Sequence, residues 1–163
     1  MNFVTFVFQD WKNNKGNSKG KIATFCFRLA NYTSQRSFLK ILLLPYLIFY
    51  KIFFEWLIGF EVPYNVKIGP GFVVFHLQAI VINKNSVIGK NFTLRHSTTI
   101  GNKSAHGNSP RIGDNVDLGA NVCIVGDIEI GNNVVIGIGS IVINSIPSNS
   151  VAVGNPAKII KQI

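Results

Sequence analysis

The stretch RIGDNVDLGANVCIVGDIEIGNNVVIGIGSIV, Arg111–Val142, keeps a six-residue beat. Ile112, Leu118, Ile124, Ile130, Ile136 and Val142 fall at every sixth position, and a second apolar series, Val116, Val122, Ile128 and Val134, runs between them. Continued backwards, the first series reads His106, Ile100, Leu94, Ile88 and Ile82, so ten of its eleven slots are aliphatic. Glycine follows the slot at 89, 101, 113, 119, 131 and 137. A period of six is neither the 3.6 of an amphipathic helix nor the 2 of a simple strand. It marks a parallel β-helix, in which three hexads, about 18 residues, close a triangular coil and the aliphatic residues stack into a dry column. Glycine suits the turns because it takes φ > 0 or lets backbones approach closely.

The beat departs from regularity twice. Within GFVVFHLQAIVINKN, Gly71–Asn85, it slips by two residues beside His76. His96 follows His76 by 20 residues, one regular coil plus the two extra. A bulge just after His76 would stack the two histidines at one edge of adjacent coils, about 4.8 Å apart; His96 as a plain polar turn residue is the other reading. The second departure is GNKSAHGNSPR, residues 101–111, where His106 occupies the one non-aliphatic slot. Its Gly, Asn and Pro content reads as a loop that leaves the coil and rejoins it at Ile112.

At 163 residues the chain holds one cored domain and an appendage. We place the appendage at 1–60 and the β-helix domain at 61–163, making the fold mainly β. The charge is uneven: residues 1–60 carry eight Lys/Arg against Asp10 and Glu55, while 61–163 carry eight against five acids. A basic, aromatic first third suits an anionic membrane surface or an acidic partner. The stretch FVFQDWKNNKGNSKGK reads as a loop or loosely ordered lead. SFLKILLLPYLIFYKIFFEWLIGF, Ser37–Phe60, is helical by composition, but Pro45 should split it into two short helices. Its longest uncharged run, Ile41–Tyr50, is far short of the roughly 20 apolar residues of a membrane span. These helices either pack on the core or a neighbouring subunit, or form a membrane-surface platform with Lys40 and Lys51 snorkelling and Trp56 and the tyrosines Tyr46 and Tyr50 at the interface. Cys26 and Cys123 lie in apolar contexts without ligand-like spacing and read as reduced core thiols. No signal peptide is evident, so the expected location is cytoplasmic, with peripheral contact at the inner face of the membrane as an extension.

The pattern KIGPGF…H…VIGKNFTLRHSTTIGN…RIGDNVDLGANVCIVGDIEIGNNVVIGIGSIV…VAVGNPAK resembles the hexapeptide-repeat acyltransferases. It is similar to their serine acetyltransferase branch, and within it to the polysaccharide O-acetyltransferases of colanic-acid type. The similarity spans about Glu61 to Lys158, and the lead, with QDW and greasy helices ending GFEV, also resembles that subgroup. The resemblance implies a left-handed β-helix, a homotrimer, and acetyl-CoA in a groove between subunits, with no metal. By position it makes His76 the general base and Glu61 the carboxylate before the first K-I-G-x-G motif. It places Gly101, Ala120 and Ile138 along the pantetheine arm, Ile138 standing where the family has alanine. It sets Pro156 against the adenine and Lys158, with Lys161, on the coenzyme phosphates, though these lysines also read as a solvated tail. Two departures matter. The aspartate that normally precedes the base is Phe75, and the Arg-His-Pro-Lys motif reads Asn108-Ser109-Pro110-Arg111. Both point away from serine as acceptor and toward another hydroxyl.

Acetyl transfer from a thioester to an alcohol needs a base, donors for the tetrahedral oxyanion, and two substrates held together. Histidine suits the base because its unperturbed pKa of about 6.5 lies near working pH. A carboxylate on its other nitrogen would fix the tautomer; Glu61 is the candidate, backbone carbonyls the fallback. The expected function is O-acetylation of a sugar hydroxyl in surface-polysaccharide biosynthesis, with His76, His96 and Glu61 as catalytic candidates. Serine O-acetyltransferase is the alternative enzyme, and a non-catalytic scaffold the alternative of another class. A zinc enzyme on the same helix would require His76, His96 and His106 to converge across a subunit boundary.

Overall fold

The computed structural model describes residues 2–163. Each hexad carries the chain round one corner, so strands of two or three residues alternate among three parallel sheets. Sheet A stacks Phe60–Glu61, Ile80–Ile82, Thr99–Gly101, Cys123–Val125 and Ile141–Val142. Sheet B stacks Lys67–Ile68, Val87–Ile88, Arg111–Ile112 and Glu129–Ile130. Sheet C stacks Val73–Phe75, Thr93–Arg95, Asp117–Leu118, Val135–Ile136 and Ser150–Gly154, and closes with the antiparallel strand Ala157–Gln162. The architecture is the parallel β-helix that the six-residue beat predicts.

The beat works because two residues per hexad, two positions apart, face the interior. Ile82, Ile100, Ile124 and Val142 align in sheet A, Ile68, Ile88, Ile112 and Ile130 in sheet B, and Val74, Leu94, Leu118, Ile136 and Ala152 in sheet C. All are buried, as are Val116, Val122, Ile128 and Val134 of the second series. Regular coils repeat at 18 residues, as from Leu118 to Ile136. Val74 pairs with Leu94 at 20, and Ile88 pairs with Ile112 at 24. The polar loop therefore adds one whole hexad, which is why the beat counts straight through it while His106 itself is exposed.

The turn residues divide into two kinds. A Cβ on Gly89, Gly113, Gly119 or Gly131 would lie within 3 Å of backbone in the next coil, so close approach excludes a side chain there. The left-handed conformation at the corner joining sheet B to sheet C belongs instead to Asn91, Asn115, Asn133 and Asn149, with φ between 53° and 59°. Asparagine tolerates this region. Here its amides also form a ladder: Asn91 Nδ2 donates to Asn115 Oδ1 (2.9 Å), Asn115 to Asn133 (2.9 Å) and Asn133 to Asn149 (2.8 Å).

The lead is a loop over residues 8–17, as expected, but an ordered one, set between α1 (Phe3–Val7) and the 17-residue α2 (Ser18–Ser34). The reason is the exposed end of the β-helix, whose first coil has no coil beneath it to take its polar groups. Asp10 Oδ1 accepts from the Gly71 and Phe72 N–H groups at 2.8 and 2.9 Å. Asn14 and Asn17 donate to the Phe72 and Val74 carbonyls, each at 2.8 Å. Arg28, buried in α2, pairs with Asp10 (2.7 Å) and donates to the Ile68 and Gly69 carbonyls. Phe27 packs edge-on to Phe72, joining α2 to the core.

The following helices break at Leu43: α3 is Ser37–Leu42 and α4 is Leu44–Tyr50, with Pro45 in the first turn, where its missing N–H costs nothing. A π-helical segment, Lys51–Leu57, continues to sheet A. No helix among the described residues is long and apolar enough to cross a membrane.

The crowding at the corners is directly testable by denaturant unfolding. Gly119→Ala, whose new Cβ would sit 2.5 Å from the Ile138 nitrogen, is expected to cost about 1–3 kcal/mol. Gly101→Ala, with nothing within 4 Å, should change stability by less than about 0.5 kcal/mol.

Candidate active site

The corner joining sheet C to sheet A is a column of left-handed residues: Gly59, Ala79, Ser97, Asn121 and Gly139, with φ from 55° to 74°. Backbone bonds tie its levels together. Ile80 N–H donates to the Gly59 carbonyl, Ser97 to Gln78, Asn121 to His96 and Gly139 to Ala120, at 2.9–3.0 Å. Gln78, His96, Ala120 and Ile138 thus form a second column, one residue earlier.

The two-residue slip is absorbed at this corner. Phe75 pairs with Arg95, so His76 and His96 follow from the same level of adjacent strands, although Gln78 rather than His76 stacks on His96 in the column. Ala79 and Ser97 are already back in the 18-residue register. The extra residues therefore lie between Phe75 and Ala79, and His76 takes a φ of 60° there. A non-glycine residue in this region marks a conformation imposed by its surroundings. The imidazoles meet edge to face, with centroids 5.4 Å apart and planes at 85°. Both are exposed, and with Gln78 they line an open depression.

Beside them, Phe75 presents 38% of its surface to solvent. The Arg95 guanidinium lies 5.6 Å from its ring centroid. Arg95 is held in turn by the Asp117 carboxylate and by the Leu118 carbonyl at 2.6 Å. Gln78 and Arg95 were not singled out from the sequence. The signal for Gln78 was present as an 18-residue offset from His96; Arg95 becomes visible only once its strand is paired with that of Phe75.

The remaining candidates disperse. Glu61 is exposed on the first strand of sheet A, paired with Val81, and no hydrogen bond joins it to His76 among the described residues. Ala120 and Ile138 continue the His96 column, Ala120 buried and Ile138 76% exposed. Gly101 is not with them: it ends its strand at the far side of sheet A, paired with Val125. Pro156 turns the C-terminal hairpin. Lys158 faces Val153 and Lys161 faces Val151 across it. Val151 and Val153 are two residues apart and share a face, so the register shift between Val151 and Ala152 brings both lysines to that face.

His106 lies in the loop between sheets A and B, at a different corner from the histidine pair. It borders a polar depression with Asn108, Arg111 and Asp127, where Asn108 donates to Asp127 at 2.9 Å. Among the described residues no group of three or more His, Cys, Asp or Glu converges as metal ligands. Of the two cysteines expected as core thiols, Cys26 is half-buried and packs against the core, whereas Cys123 sits on the outward side of sheet A, paired with Thr99 and Ile141. Burial still pushes both thiols up.

No family model matches the chain. It is 39% identical over 116 residues to the putative colanic acid biosynthesis acetyltransferase WcaB of Escherichia coli K12, covering 71% of this chain and 72% of that protein. In structure it matches soybean serine acetyltransferase, as apoenzyme, with a TM-score of 0.79 at 28% identity, over 96% of this chain and 68% of that one. A serine acetyltransferase in complex with CoA matches with a TM-score of 0.78 at 25% identity, over 96% and 69% of the two chains.

Proposed function

From a chain that belongs to the hexapeptide-repeat acyltransferases of the serine acetyltransferase branch, near the colanic-acid-type acetyltransferases, we propose acetyl transfer from acetyl-CoA to a sugar hydroxyl in surface-polysaccharide biosynthesis. The observation that carries the reading is the exposed His76–His96 pair at the slipped corner. His76 takes the proton of the acceptor hydroxyl as its oxygen attacks the thioester carbonyl. A tetrahedral oxyanion forms and collapses, the C–S bond breaks, and the proton returns from His76 to the departing sulfur. Transfer is direct, with no acyl-enzyme. His96 donates to the acceptor and positions it. Glu61 is the carboxylate partner of His76 once its exposed side chain turns toward the imidazole; backbone carbonyls serve if it does not.

The coenzyme has a path along the same corner. From the coil of His96 the column descends through Ala120 and Ile138 toward the hairpin carrying Lys158 and Lys161. Three coil steps span about 14 Å, so a thioester at the histidines leaves the phosphates near the lysines. Gly101 joins this path only from a neighbouring subunit, and the reading therefore takes the active unit as a homotrimer. Acetyl-CoA supply sets the reaction in the cytoplasm.

Phe75 supports the carbohydrate acceptor. Its half-exposed ring, steadied by Arg95, offers a flat apolar face beside His76, suited to the C–H face of a pyranose and unsuited to an amino acid's ammonium-carboxylate pair. The fold match to serine acetyltransferases favours serine as a second reading.

Three measurements test these assignments. His76→Ala should lower kcat by about 10²–10⁴, while His96→Ala should mainly raise KM for the acceptor; near-normal kcat in His76→Ala would remove the base. Deleting the gene should eliminate base-labile acetyl signals from the NMR spectrum of the surface polysaccharide, and purified enzyme should not turn over L-serine; robust turnover makes serine the acceptor. Replacing Lys158 and Lys161 together by alanine should weaken CoA binding in calorimetry by about tenfold and flatten its salt dependence.

A further inference from the structure

The acetyl-transfer site uses nothing from α3, α4 or the π-helical segment, yet these carry the largest concentration of exposed apolar side chains in the described structure. Only Leu47, Tyr50 and Phe54 are buried there, packing toward the core. On the opposite side Ile48, Phe49, Ile52, Phe53 and Trp56 repeat at helical spacing, between 39% and 72% exposed. Phe49 and Phe53 stack with each other, at 5.3 Å and 13°. α3 extends the face with Phe38 and Ile41, 75% and 78% exposed. Soluble domains rarely leave so large a contiguous apolar face uncovered.

Charge identifies what covers it. Arg36, Lys40 and Lys51 border the face and are exposed. The one acid between 36 and 60 is Glu55, half-buried and with its carboxyl pushed up by that burial against the pull of Lys51. Pairing this face with its own copy would set Lys40 and Lys51 against the same cations with a single carboxylate to offset them. Anionic lipid headgroups supply the missing counter-charge, while acyl chains receive the apolar stripe. Trp56, at 72% exposure, has the amphipathic ring that settles at the headgroup boundary. The helices are too short to cross a bilayer, so they lie along it. We propose that α3, α4 and the π-helical segment form a docking face for an anionic lipid bilayer. The π-helical segment runs directly into the first strand of sheet A, so docking presents the enzyme at the membrane surface, where a lipid-carried acceptor would be concentrated.

Vesicle co-sedimentation of the full chain tests this without any acceptor. Binding is expected to phosphatidylglycerol/phosphatidylcholine vesicles, to weaken with salt, and to be far lower on phosphatidylcholine alone. Ile41→Glu combined with Trp56→Glu should reduce partition by about tenfold or more, while circular dichroism and CoA binding stay unchanged. Lys40→Glu with Lys51→Glu should abolish only the preference for anionic lipid. Wild-type protein that ignores anionic vesicles overturns the proposal. So does a double-glutamate variant whose only change, read by light scattering, is a smaller oligomer, since the face would then belong to a second copy. Retained CoA binding alongside lost vesicle binding separates failure here from failure of the catalytic reading.

Discussion

The closeness of successive coils is the constraint on which everything else in this protein rests. Backbone-to-backbone pairing leaves no room for a Cβ at Gly89, Gly113, Gly119 or Gly131, and it repeats each inward residue directly over the last. One hexad can then serve as the unit of both burial and hydrogen bonding. The aliphatic columns gain their stability from that overlap, and the asparagine ladder satisfies a corner that would otherwise expose polar amides at every level.

A stack of coils has two ends, and each is handled differently. At the first coil, Asp10, Asn14, Asn17 and Arg28 take over the hydrogen-bonding groups a preceding coil would have paired. The buried Asp10–Arg28 pair is tolerable because each ion also bonds backbone groups of the first coil; removing either would strand the other at a cost of about 3–5 kcal/mol. At the last coil, the antiparallel strand Ala157–Gln162 covers the edge of sheet C and carries the lysines assigned to the coenzyme. One end is built for closure, and the other combines closure with the proposed phosphate contact.

The proposed site lies where the repeat is disturbed rather than where it is regular. Regular corners leave one residue per coil in the outer column, so a side chain there meets only the residue one coil above or below it. Two extra residues at one level free His76 from the column of Gln78 and His96 and set it against His96. The larger insertion, one hexad long, preserves the count and so disturbs nothing around it. Whether an insertion's length is a whole number of hexads decides if it leaves the register intact, as the six-residue loop does, or displaces a side chain, as the two-residue slip does.

The fold was legible in the sequence because an aliphatic residue at every sixth position admits one compact solution, and the coil lengths followed from counting. The histidine pair was legible for the same reason, as a 20-residue separation against an 18-residue coil. The capping lead was not legible: Asp10, Asn14 and Asn17 look like loop polarity until the first coil's open edge lies beside them. Nor was the place of Arg95 beside Phe75, the separation of Gly101 from Ala120 and Ile138, or the common face of Lys158 and Lys161. These depend on which strands pair and where a register shift falls. Periodicity is a property of the chain and can be read along it, whereas contacts between distant, non-repeating polar residues exist only once the coils have stacked.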